Sequence, residues 1–134
     1  MNSDFPILIV DNSVIMRMMV KHDLQKLGYD NFIEAENGVE ALKKIKKREG
    51  KISLILLDWK MPEMSGLQFL QKLKSYKKYQ DISVIMITAI NTRDEVLSAL
   101  KWGATSYILK PFSRKELKEK IDQIERKNLK EKQE

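Results

Sequence analysis

Four short apolar runs stand out along the chain, at residues 7–10, 52–57, 82–87 and 107–109. They are rich in β-branched residues and mostly continuous rather than alternating. Strands that are apolar on both faces belong to a parallel sheet covered by helices. A weaker fifth strand is placed at residues 31–35. Between the runs the apolar period becomes helical: Val39, Leu42 and Ile45 form one stripe, as do Leu67, Leu70 and Leu73. Val96 with Leu100, and Leu117, Ile121 and Ile124, do the same. Residues 14–27 are apolar over a wider arc, which predicts a helix pressed between neighbours, with Met16, Met18 and Met19 as core filling. Asn37 with Glu40, Thr92 with Glu95, and Ser113 with Glu116 each place a capping side chain three residues before a carboxylate. Gly28, Gly50 and Gly103 fall where helices should end. The βα order, repeated five times, predicts a doubly wound α/β domain over residues 1–126. Residues 127–134 read as a fraying polar tail.

Composition narrows the possibilities. The 134 residues are 43% hydrophobic and 33% charged, which suits one globular domain and excludes a disordered chain. The absence of cysteine excludes a disulfide scaffold, a thiolate metal site and a cysteine nucleophile. There is no leader pattern and no apolar run of membrane-spanning length, so a cytoplasmic protein without membrane insertion is expected. The net charge of +6 raises nucleic acid or an anionic membrane as partners. However, the basic runs at residues 43–48 and 72–78 lie toward the C-termini of predicted helices, where cations offset the macrodipole. The last 22 residues carry eight basic and six acidic side chains, so they form no basic arm. Tyr76 is the one aromatic residue among the basic ones of the second run, and no helix-turn-helix is expected to follow the domain, so nucleic-acid binding is not expected. His22, the only histidine, falls within the first helix and reads as a surface residue.

In an open parallel sheet, ligands bind beyond the carboxyl ends of the strands. Asp11 and Asn12 follow the first run, Asp58 the third strand, Thr88 the fourth and Lys110 the fifth. Any one of them could simply mark where the chain meets water. Four strand ends on one edge, offering two carboxylates, an amide, a hydroxyl and an ammonium, supply the parts for handling a phosphoryl group. Carboxylates bind Mg²⁺ through oxygen, one can become an acyl phosphate, and lysine and hydroxyl can hold phosphoryl oxygens.

Four ordered blocks carry a resemblance. They are Val10-Asp11-Asn12-Ser13, the stretch from Leu57-Asp58-Trp59-Lys60-Met61-Pro62 to Gly66, Ile87-Thr88-Ala89, and Gly103-Ala104 through Lys110-Pro111-Phe112. Together they resemble the receiver domains of two-component response regulators, most closely the single-domain chemotaxis regulators. The resemblance implies a flavodoxin-like (βα)5 fold with sheet order 2-1-3-4-5. It also implies a phosphoprotein switch: Asp58 accepts a phosphoryl group from a sensor histidine kinase, and the switched form binds a downstream protein. Mg²⁺ would be the cofactor, held by Asp11, Asn12, Asp58 and the Lys60 backbone carbonyl. Thr88 and Lys110 would bind the phosphoryl oxygens, and Lys110-Pro111 would be cis. Tyr107 would swing inward when Thr88 moves. With no effector domain expected, output would be by docking, on a face that includes Trp102 and Tyr107. Such a protein is no enzyme beyond gaining and losing its own phosphoryl group.

One departure matters: the family usually has two adjacent acids after the first strand, and here the second is Asn12. The pocket loses a negative charge, so weakened Mg²⁺ binding is expected. Lys60 and Ile90 occupy positions that vary in the family, and a bulky Ile90 predicts slow dephosphorylation. Trp102 stands where the family has a small residue and is either partly buried packing or an exposed anchor. Two other function classes compete with this reading. A dehalogenase-type aspartyl phosphatase would need an acid at Ser13 and a cap domain. A phosphorylation-independent pseudo-receiver is kept open by Asn12, although Asp58, Thr88 and Lys110 argue against it.

Overall fold

In the computed structural model, which describes residues 4–89 and 93–133 with side chains to Asn128, five parallel strands form one sheet. The strands are β1 (Ile7–Val10), β2 (Phe32–Ala35), β3 (Leu54–Asp58), β4 (Ser83–Thr88) and β5 (Ser106–Leu109). The helices between and after them are α1 (Val14–Lys26), α2 (Gly38–Lys47), α3 (Gly66–Ser75), α4 (Arg93–Lys101) and α5 (Arg114–Gln133). The sheet order is β2-β1-β3-β4-β5. This is the flavodoxin-like doubly wound fold that the motif blocks implied.

The continuous apolar runs resolve into two cores. On β1, Ile7 and Ile9 join one core while Leu8 and Val10 join the other, and β3 and β4 divide in the same way. One core contains Val20 and Leu24 of α1 and Leu117, Ile121 and Ile124 of α5. The other contains Ala41, Leu42 and Ile45 of α2, Phe69, Leu70 and Leu73 of α3, and Ala99 of α4. Helix ends follow their sequence signals. Asn37 and Ser113 cap α2 and α5, accepting the Glu40 and Glu116 N–H groups at 2.8 and 3.1 Å. Gly28, Gly50 and Gly103 have φ of 98°, 74° and 104°. Thr92, expected to cap α4, and Ile90 lie outside the described residues.

Several expectations fail for tertiary reasons. Val14, Ile15, Met18 and Met19 are 57–69% exposed, so Met18 and Met19 are not core filling. α1 buries only the stripe that carries Val20 and Leu24, and its other apolar flank is exposed. Val39 is exposed and the small Ala41 takes its place against the sheet. On α4 only Ala99 is buried, while Leu97 and Leu100 face out with Trp102, which is 47% exposed. Lys74 is no solvated surface residue: its ammonium donates to the carbonyls of Gln80 and Ile82 at 2.8 and 2.7 Å. Burial holds its pKa below the usual lysine value. α5 continues as helix through the polar residues up to Gln133. Among the described residues no helix is long and apolar enough to cross a membrane.

The loop after β3 is drawn tightly back to the strand end. The Gly66 N–H donates to the Trp59 carbonyl at 2.8 Å, and Ser65 and Gln68 form a reciprocal capping box there. A Cβ at Gly66 would lie 2.4 Å from the Asp58 backbone oxygen, closer than any atom can stand. Gly66→Ala should therefore push α3 off the end of β3 and destabilise the domain by about 1–3 kcal/mol. Urea unfolding measures this, and an unchanged midpoint would refute it.

Candidate functional site

The register of the sheet decides which polar residues meet. Val10 pairs with Leu57, so Asp11, one residue past β1, comes level with Asp58 at the end of β3. Asp58 is paired with Ile87, and Thr88 with Leu109, which sets Thr88 and Lys110 at the same edge. The Lys110 N–H donates to the Thr88 carbonyl at 2.8 Å, fixing the start of the β5–α5 loop. The Lys110-Pro111 bond that follows is cis.

At this edge the Lys110 ammonium bridges two carboxylates. Its Nζ lies 3.0 Å from Asp58 Oδ1 and 3.8 Å from Asp11 Oδ2. Asp11, Asp58 and Thr88 are all buried. Asp11 is held from several sides: its Oδ1 accepts the Ser13 N–H at 2.8 Å, and its own N–H donates to the Ala35 carbonyl at 3.1 Å. Ser13 also caps α1, so the turn that presents Asp11 and the start of the helix share one residue. Burial raises the pKa of Asp58 above the usual carboxylate value. The Lys110 hydrogen bond opposes that rise, and the charge of Asp11 reinforces it.

Two carboxylates against one ammonium leave a net negative charge in a buried cleft. Hard oxygen donors with that balance suit a divalent cation such as Mg²⁺. Among the described residues no group of three or more acidic, histidine or cysteine side chains could hold a metal. That agrees with the loss of one acid at Asn12. Asn12 is exposed and lines a surface depression with Glu36, Asn37, Pro62 and Glu63. Lys60 is exposed, two residues past Asp58. Tyr107 is half-buried, with Lys120 Nζ 5.3 Å from its ring centre, and lines a small cavity with Trp59, Thr88 and Glu95.

The sequence reading missed Arg17, Glu34 and Lys44. The Arg17 guanidinium donates to the Asp11 backbone carbonyl and pairs with Glu34 at 3.2 Å. Lys44 donates to the Glu34 carbonyl and pairs with Glu40. Nothing in spacing or composition separates such charges from those on a solvated helix. His22 is exposed on α1, as expected.

Comparison with known proteins agrees with this geometry. Residues 7–122 match the family model described as the response regulator receiver domain. A protein from Campylobacter jejuni named as a chemotaxis protein CheY homolog is 43% identical over 118 residues, spanning 88% of this chain and 90% of its own. Chemotaxis protein CheY1 of Helicobacter pylori is 42% identical, spanning 88% of this chain and 94% of its own. Among solved structures, chemotaxis protein CheY4 of Vibrio cholerae superposes with a TM-score of 0.83 at 30% identity, covering 91% of this chain and 99% of that one. A CheX–CheY–BeF3–Mg complex from Borrelia burgdorferi gives the same TM-score at 30% identity, covering 90% and 88%.

The raised pKa of Asp58 has a measurable consequence. Between the usual carboxylate range and the raised value, the folded state holds a proton that the unfolded chain has lost, so stability falls as pH rises through that window. Above the window the cost of the buried charge is fully present. With a chelator present, Asp58→Asn should therefore be more stable than the parent at about pH 7, and its advantage should shrink toward about pH 3. Urea midpoints of both proteins at the two pH values test this. A parent more stable than the variant at neutral pH would contradict it.

Proposed function

The chain belongs to the response regulator receiver domain family, and on that premise we propose that Asp58 is its phosphoacceptor. Receiver domains are phosphorylation switches whose own chemistry is confined to gaining and losing the phosphoryl group. The observation that carries the assignment is the Lys110 ammonium held 3.0 Å from a buried Asp58 at the sheet edge. A free oxygen of the Asp58 carboxylate attacks phosphorus, and the bond to the donor imidazole of a sensor histidine kinase breaks. Lys110, already in place, then pairs with a phosphoryl oxygen, and the Thr88 hydroxyl donates to another. Asp11, Asp58, the Asn12 amide oxygen and the Lys60 carbonyl would hold Mg²⁺, which would supply positive charge to offset that of the phosphoryl group. The added dianion recruits Thr88 and Lys110 and biases the domain toward the form with Tyr107 turned inward.

Output is by protein docking on the side where Leu97, Leu100 and Trp102 stand exposed on and just after α4, with the half-buried Tyr107 on β5. The similarity to chemotaxis proteins of Campylobacter and Helicobacter supports a place in chemotaxis. The +6 charge needs no nucleic-acid partner, because basic side chains such as Lys44 and Lys74 serve carbonyls and ion pairs within the fold.

Incubation with a small acyl phosphate and Mg²⁺ should yield an acid-stable, hydroxylamine-labile adduct by intact mass, absent in Asp58→Asn. No adduct on the parent would overturn the switch and favour a phosphorylation-independent binding module, the reading that Asn12 supports. Restoring the second acid tests the metal assignment. Asn12→Asp should bind Mg²⁺ several-fold more tightly, because affinity rises with the charge of the ligand set. Equal affinity in a Mg²⁺ titration would remove Asn12 from that set.

A further inference from the structure

We propose that Arg17 is a positioning residue for this site, acting through Asp11 and setting its affinity for Mg²⁺. The inference rests on the metal-binding reading above. Arg17 rises from the first turns of α1, yet its side chain is only 12% exposed. Its Nη1 donates to the backbone carbonyl of Asp11 at 2.5 Å, and its Nε to Glu34 Oε1 at 3.2 Å. Glu34 belongs to the edge strand β2, where Lys21 also approaches it at 3.7 Å. Lys44 of α2 holds the same residue by its backbone carbonyl. The fork therefore ties α1, β2 and α2 to one carbonyl in the β1–α1 turn.

That carbonyl belongs to the residue whose orientation matters most. The N–H of Asp11 is held by Ala35, its Oδ1 by the Ser13 N–H, and its carbonyl by Arg17. With those three groups committed, Oδ2 is the atom that faces Lys110, whose ammonium also holds Asp58. A salt bridge serving stability alone needs only Glu34. The second arm of the guanidinium, spent on Asp11, is what a rigid planar fork supplies and a lysine does not. Because Asn12 removes one acid from the ligand set, the placement of the remaining carboxylates carries more of the affinity. Partners that orient a metal ligand in this way typically contribute about 10-fold or more to metal binding.

Charge and positioning predict opposite signs, which makes the inference testable. Arg17 is a cation beside a cation site, so by Coulomb repulsion alone its removal would tighten Mg²⁺ binding. Loss of positioning weakens it. Arg17→Met keeps the length of the stem and removes both donors. The test is a Mg²⁺ titration of parent and variant, followed by the amide chemical shifts of Asp58, Trp59 and Lys60, with the remaining shifts reporting an intact fold. Binding about 10-fold weaker in the variant is the expected result. Equal or tighter binding overturns the role of Arg17 and leaves the metal reading intact. A parent that does not respond to Mg²⁺ overturns both. If Arg17→Met does not fold, Arg17→Lys is read by the same rule: it conserves charge, so weaker binding supports positioning and unchanged binding refutes it.

Discussion

One contact organises the strand-end cluster of this domain: a lysine ammonium holding two buried carboxylates together at the edge of a parallel sheet. Buried like charges repel, and each loses hydration that the interior does not return. Lys110 offsets part of that cost and leaves Asp58 with a raised pKa and the pair with unspent negative charge. A site in that condition favours whatever brings positive charge. Its cost as a bare cluster and its attraction for a cation have the same cause.

The sheet makes such a contact possible. β1, β3 and β4 are buried on both faces, so their alternate side chains feed two separate cores and their register cannot slip without exposing one of them. That rigidity is delivered at the strand ends, where the chain must turn polar. Asp11 is then immobilised by its neighbours on three sides, and the β3–α3 loop is closed on Asp58 by a position that admits only glycine. The apolar surface left over is concentrated on one flank of α1 and along α4 to Trp102, away from either core.

The fold was legible because a (βα)5 pattern repeats one physical rule. Uninterrupted apolar runs demand cover on both faces, and helical stripes with caps at Asn37 and Ser113 supply it. Strand order was another matter, since pairing of non-consecutive strands leaves no local mark and came from the motif blocks. The site was legible in its list of residues: Asp11, Asp58, Thr88 and Lys110 all stand at one edge, as strand-end positions in a parallel sheet must. Asn12 was legible as a missing charge.

What the sequence could not reveal was which side of a helix finds a neighbour. α1 is apolar around most of its circumference, so periodicity marks no inner face. Only its packing against the sheet selects Val20 and Leu24 and leaves Met18 and Met19 in the open. The same limit hid Arg17, Lys44 and Lys74, because a charged side chain on a helix looks identical whether it meets water or a buried carbonyl. By itself, then, the sequence determined the layers of the fold and which polar residues stand at the strand ends. Tertiary structure alone decided which charges are paired, at what distance and at what cost. Pairing joins residues far apart in the chain, and its strength depends on how much water the packed cores exclude.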